Sequence, residues 1–168
     1  MHKNFIHKVK VYYEDTDAGG VVYYANYLNF IERARTEAIN NIGLSNKKIK
    51  ENFNSLIIVK SCNIQYKKSA QLEDELSIRS FVKDITKTSF SMMQIITRKD
   101  EVIAEALVHL VFINKLGKPT KIPDLIYKNF KPYFCDSIKI LLSCFALVNK
   151  FFIILRLITL VFTFLGLG

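Results

Sequence analysis

The chain has 168 residues, enough for one domain with a real core. Its 24 basic residues outnumber 15 acids, for a formal charge of +9. The lysines are scattered, as at Lys8, Lys47, Lys48, Lys67, Lys68 and Lys87, with no basic helix and no aromatic-plus-basic module, so a solvated surface is expected and no nucleic-acid partner.

In chain order, Phe5, His7, Val9, Val11 and Tyr13 alternate with Ile6, Lys8, Lys10 and Tyr12, which predicts a strand over 5–13. Next come three carboxylates (Glu14, Asp15, Asp17) and the pair Gly19-Gly20. A helix is expected after them, because Tyr24, Tyr27, Leu28, Ile31, Ala34 and Ala38 form one apolar stripe. Arg33 and Glu37, one turn apart, are expected to pair, and Gly43 to stop the helix. A polar stretch, Ser45 to Asn54, follows. Four strands are then predicted, Leu56–Tyr66, Glu75–Asp84, Thr88–Arg98 and Val102–Asn114, with short polar links suited to antiparallel hairpins. One helix and then four strands argue for an α+β fold with an antiparallel sheet packed on the helix.

Residues 138–168 differ from the rest. They hold Lys139, Lys150 and Arg156 and no acid, so every acid lies in residues 1–137. The stretch FFIILRLITLVFTFLGLG has Arg156 as its single charge and reaches the lower length for a membrane-spanning helix, roughly 17–25 residues. Three readings stay open: a membrane helix with the body on the cytoplasmic side, a packed C-terminal helix, and a shifted reading frame. The division is thus a 1–137 body and a 138–168 tail. Cys62, Cys135 and Cys144 show neither CxxC nor metal spacing, which suits a reducing compartment. The N-terminal MHKNFIHKVK lacks an apolar signal core, so the body is expected in the cytoplasm.

The chemistry concentrates in YYEDTDAGGVVYYANYLNFIERARTE, residues 12–37. A carboxylate beside the unpaired N–H groups of a helix start suits acyl transfer, where one group attacks and the donors receive the oxyanion. The aspartates also suit turn or cap roles, and Asp15 is the one expected to be structural. A calcium loop fits poorly, since Asn26 stands where a glutamate is required. His2, His7 and His109 show no metal spacing, and neither a GxSxG elbow nor a phosphate loop is present.

This motif resembles the signature of the 4-hydroxybenzoyl-CoA thioesterase family, and more narrowly the YbgC-type acyl-CoA thioesterases associated with the Tol-Pal envelope system. The resemblance continues through NIQYKKSAQLEDELSI, VKDITKTSFSMMQII and VFINKLGKPTKIPDLI, covering about residues 5–130. It implies a hotdog fold, a long central helix wrapped by a curved antiparallel sheet, in homodimers or homotetramers with active sites between subunits. It implies that Asp17 is the catalytic aspartate, as nucleophile or general base, and that the Tyr24 N–H faces the thioester carbonyl. Gly19 and Gly20 shape the loop at the substrate. The substrate is an acyl-CoA, or an acyl carrier protein thioester, and no metal or other cofactor is expected. Lys87 is the first choice for a coenzyme A phosphate, ahead of Lys67 and Lys68. The acyl tunnel is expected to use Tyr24, Tyr27, Leu28 and Ile31. YbgC-type members often carry histidine where this chain has Tyr24; a backbone donor survives that change. A hotdog dehydratase would need a histidine that the helix start lacks. The competing reading is a non-catalytic, membrane-tethered acyl-binding or scaffold protein of the same fold.

Overall fold

The computed structural model describes residues 4–134. Five strands form one antiparallel sheet: β1 (Phe5–Lys10), β2 (Ser55–Tyr66), β3 (Glu75–Ile85), β4 (Ser89–Arg98) and β5 (Glu101–Asn114). Their order is β1-β3-β4-β5-β2, so β1 and β2 are the edges. The helices are α1 (Asn26–Asn41), α2 (Asn46–Phe53) and α3 (Asp124–Phe130). This is the expected α+β hotdog architecture, with α1 packed on the sheet.

Period-two alternation builds the sheet face that meets α1. Leu76, Ile78, Ser80 and Val82 of β3 are buried, as are Phe90, Met92, Gln94 and Ile96 of β4. From the helix come Tyr27, Phe30, Ile31, Ala34 and Ala38. Burying a side chain of this size stabilises the fold by about 1.5–3 kcal/mol. Two polar residues in this core satisfy each other. The fully buried Gln94 amide donates to the Ile31 carbonyl and to Ser80 Oγ, both at 2.9 Å, and accepts from Arg35 Nη1 at 3.1 Å. One side chain thereby locks α1 in register on the sheet.

Several expectations need correction. β1 ends at Lys10 rather than residue 13, because Tyr13–Asp15 close a 3-10 turn and Val11 bonds instead to residues 73 and 74. The polar stretch 45–54 holds α2, capped by Ser45 Oγ accepting from the Lys48 N–H at 3.1 Å; only Ile49 of this helix is buried, too little for a periodic signal. The apolar stripe of α1 is rotated: Phe30 and Ile39 are buried, while Tyr24 and Leu28 are 61% and 42% exposed. Arg33 and Glu37 form no ion pair among the described residues; Glu37 accepts from Asn40 instead. Gly43 does end α1, at φ +82°, with its N–H on the Asn40 carbonyl. The expectations for the 138–168 tail lie outside the described residues. Among those described, no helix is long and apolar enough to cross a membrane.

Candidate active site

A short hairpin between β1 and α1 carries the carboxylates. Asp15 is buried, and its Oδ2 accepts from the Tyr12 N–H at 2.9 Å. Its backbone carbonyl accepts from the Tyr23 N–H at 2.9 Å and from Asn26 Nδ2 at 3.0 Å. Asp15 is therefore bound into the scaffold from both its side chain and its backbone.

Asp17 opens the reversal. Its N–H donates to the Val21 carbonyl at 2.9 Å, and its carbonyl accepts from the Gly20 N–H at 3.0 Å. Gly20 completes the turn at φ +74°, a left-handed conformation that glycine adopts without strain. The Val22 N–H then pins the hairpin to the Ala70 carbonyl at 2.8 Å. The Asp17 side chain is exposed; Oδ1 accepts from the Gly19 N–H at 2.8 Å, while Oδ2 has no partner among the described residues. A Cβ at Gly19 would lie 3.1 Å from that Oδ1, so glycine leaves room for the carboxylate. Asp17 thus stabilises a turn and still presents a free oxygen.

The chain enters α1 four residues after the hairpin. The Tyr23 carbonyl accepts from the Asn26 N–H at 2.8 Å, and the Ala25 carbonyl from the Leu28 N–H at 3.0 Å. The Tyr24 N–H has no partner among the described residues. It lies at the positive end of α1, where donors are unpaired and the dipole favours negative charge. Asn26 locks this start to the hairpin through the Asp15 carbonyl, with a longer contact to that of Glu14. The Tyr24 ring tilts on Tyr23, with centroids 4.6 Å apart. The neighbouring Tyr24 phenol pushes the Tyr23 pKa up, and the Asp17 charge adds a smaller rise.

Beside it lies a cleft of about 270 Å³, lined by Val22, Tyr24, Tyr27, Tyr66, Lys67, Lys68 and Ser69. Three of its lining residues are tyrosines and two are lysines. Lys67 faces Glu105 at 3.8 Å and Lys68 pairs with Glu101, which also holds Arg98. Within one chain, then, Lys67 and Lys68 accompany Tyr24, and Lys87 does not. Lys87 lines a separate cleft of about 360 Å³ with Thr86, Lys121, Asp124 and Tyr127. Of the expected tunnel residues, Tyr24 and Tyr27 line the first cleft, whereas Ile31 is buried in the core at 1% exposure. Asn26 and Tyr66 were not singled out from the sequence; an asparagine at a helix start was the available signal for the first. Among the described residues, no cluster of three His, Cys, Asp or Glu side chains suits a metal.

The profile of the Thioesterase-like superfamily matches residues 11–130. The chain is 36% identical over 118 residues to the acyl-CoA thioesterase YbgC of Haemophilus influenzae, covering 70% of this chain and 86% of that one. It is 37% identical over 125 residues to the acyl-CoA thioester hydrolase YbgC of Escherichia coli, covering 73% and 92%. The crystal structure of a Probable Thioesterase from Bartonella henselae superposes with a TM-score of 0.70 at 30% identity, covering 72% of this chain and all of that one. The chain belongs to the YbgC-type acyl-CoA thioesterases of the thioesterase-like, hotdog superfamily.

Proposed function

We propose that this protein hydrolyses acyl-CoA thioesters to a free acid and coenzyme A, using Asp17 and the Tyr24 N–H. The class of reaction, thioester hydrolysis, follows from the family. The observation that supports the residue roles is the hairpin that leads into α1: the Asp17 carboxylate has one oxygen tied to Gly19, and neither its other oxygen nor the Tyr24 N–H has a partner among the described residues.

A thioester carbonyl is electrophilic because sulfur donates little resonance and leaves well. The free Asp17 oxygen either attacks that carbon, giving a mixed anhydride that water cleaves, or takes a proton from an attacking water. In both routes charge builds on the carbonyl oxygen, which the Tyr24 N–H and the helix dipole stabilise; loss of one such donor typically costs on the order of 10²–10³ in rate. The aromatic cleft beside Tyr24 receives the acyl group.

Pairing of two copies is part of this reading. β2 is an edge strand with Leu56, Ile58 and Val59 exposed, and such an edge is a template for another chain. In a homodimer or homotetramer, Lys87 of a neighbouring copy would serve the coenzyme phosphates, with Lys67 and Lys68 at the cleft mouth. We further propose a cytoplasmic body held near the membrane by the 138–168 tail, in the service of the Tol-Pal envelope system; the single charge of residues 151–168, Arg156, supports attachment.

The test is thiol release by the full chain from a panel of acyl-CoAs and an acyl carrier protein thioester, beside Asp17→Asn. Turnover that falls about a hundredfold or more in the variant supports the assignment. A variant as active as the parent refutes the role of Asp17.

A further inference from the structure

We propose that Tyr66 is a positioning residue for the reaction: its hydroxyl holds the peptide that follows Tyr24, and so keeps the Tyr24 N–H aimed at the substrate. This inference rests on the role given to Tyr24 above.

The conformation at Tyr24 is set by two rigid peptide planes, one on each side of its Cα. The plane before it carries the Tyr23 carbonyl, restrained by the Asn26 N–H at 2.8 Å. The plane after it carries the Tyr24 carbonyl. In a regular α-helix that carbonyl would accept from residue 28, but the Leu28 N–H turns to the Ala25 carbonyl instead. The Tyr24 carbonyl accepts from Tyr66 Oη at 3.0 Å and from nothing else among the described residues. Without that hydroxyl, no hydrogen bond among the described residues restrains the second plane.

Tyr66 is built for such a task. It is the last residue of β2 and is paired in register with Ala104 of β5, so its backbone belongs to the sheet. Its ring meets the buried Tyr27 edge-on, with centroids 5.4 Å apart. Tyr27 is itself anchored, since its hydroxyl accepts from the Ala70 N–H at 3.0 Å. The Tyr66 phenol is a donor at neutral pH, as any tyrosine is, and partial burial raises its pKa further. A rigid strand end thus reaches across the cleft to the start of α1, 42 residues away in the chain.

Tyr66 also lines the cleft, so a positioning role must be separated from a substrate contact. The test is Tyr66→Phe in the full chain, measured by steady-state thiol release and by amide hydrogen exchange, with Asp17→Asn alongside. The expected result is a kcat about three- to tenfold lower with KM within twofold of the parent, as for an interaction made in the transition state. Exchange at the Asn26 and Leu28 amides should quicken while that of β3 to β5 stays unchanged. A parental kcat, a raised KM with parental kcat, or parental exchange at Asn26 and Leu28 would each overturn the proposal. If Asp17→Asn keeps parental turnover, the Asp17 assignment fails, and the exchange result decides the role of Tyr66 separately.

Discussion

Gly19→Ala should impair turnover far more than stability. An added Cβ would sit 3.1 Å from Asp17 Oδ1, inside the 3.4–4 Å of ordinary contact. The same oxygen accepts the Gly19 N–H at 2.8 Å, so the methyl repels the atom that the amide holds. Relief requires the carboxylate to move by a few tenths of an ångström. A misplacement of a full ångström costs on the order of 10²-fold in rate, so this one should cost roughly three- to tenfold, or about 0.7–1.4 kcal/mol of barrier. Stability should hardly change: the weakened bond is exposed, and alanine recovers about 0.4–1 kcal/mol by restricting the unfolded chain. Gly20→Ala is the contrast. Nothing lies within 4 Å of its Cβ, but its φ is +74°, and a non-glycine residue in that region costs about 1–2 kcal/mol, lowering Tm by roughly 2–8 °C. The assay is initial-rate thiol release at 25 °C paired with thermal melting by circular dichroism. Parental kcat/KM in Gly19→Ala, or a Tm loss matching that of Gly20→Ala, would refute the reasoning.

Other predictions concern the scaffold. Gln94→Leu leaves buried Ser80 Oγ and the half-buried Arg35 guanidinium without their Gln94 partner; a loss of roughly 1–3 kcal/mol should appear as a lower urea midpoint with an unchanged slope. Tyr27→Phe removes the acceptor of the buried Ala70 N–H and should cost about 1–3 kcal/mol by the same measurement. Glu101 is held below the usual carboxylate pKa by its hydrogen bonds to Lys68 and then Arg98. A depressed carboxylate stabilises the fold above its unfolded pKa, about 4.3, and that contribution is lost as pH falls through the lower folded value. Urea midpoints should therefore decline below about pH 4.3, and less steeply in Glu101→Gln; identical profiles would show that this cluster does not contribute.

What was legible in the chain was whatever consecutive residues encode. The alternation of Leu76, Ile78 and Val82, and of Phe90, Met92 and Ile96, marked β3 and β4 because one sheet face needs every second side chain. The three- and four-residue steps marked α1, and Gly43 its end. α2 was hidden because a short helix with one buried residue has no periodic signature. Asp17 and Gly19-Gly20 stood out in their motif, and the structure places them in one hairpin.

The remainder depended on tertiary structure. Asp15 was expected to be structural, but its burial and its bond from the Tyr12 N–H appear only in the fold, as does the Asp17 Oδ2 that has no partner among the described residues. Gln94 shares a sheet face with Phe90, Met92 and Ile96, but its bonds to Arg35 and Ile31, 59 and 63 residues away, appear only once helix and sheet pack. The strand order that makes β2 an edge likewise places Tyr66 on the Tyr24 carbonyl and brings Lys67 and Lys68, rather than Lys87, to its cleft. Periodicity and turn chemistry act between neighbours, so the sequence by itself determined the elements and the motif. The partners of each polar side chain depend on the route the backbone takes between distant residues, and that only the folded chain decides.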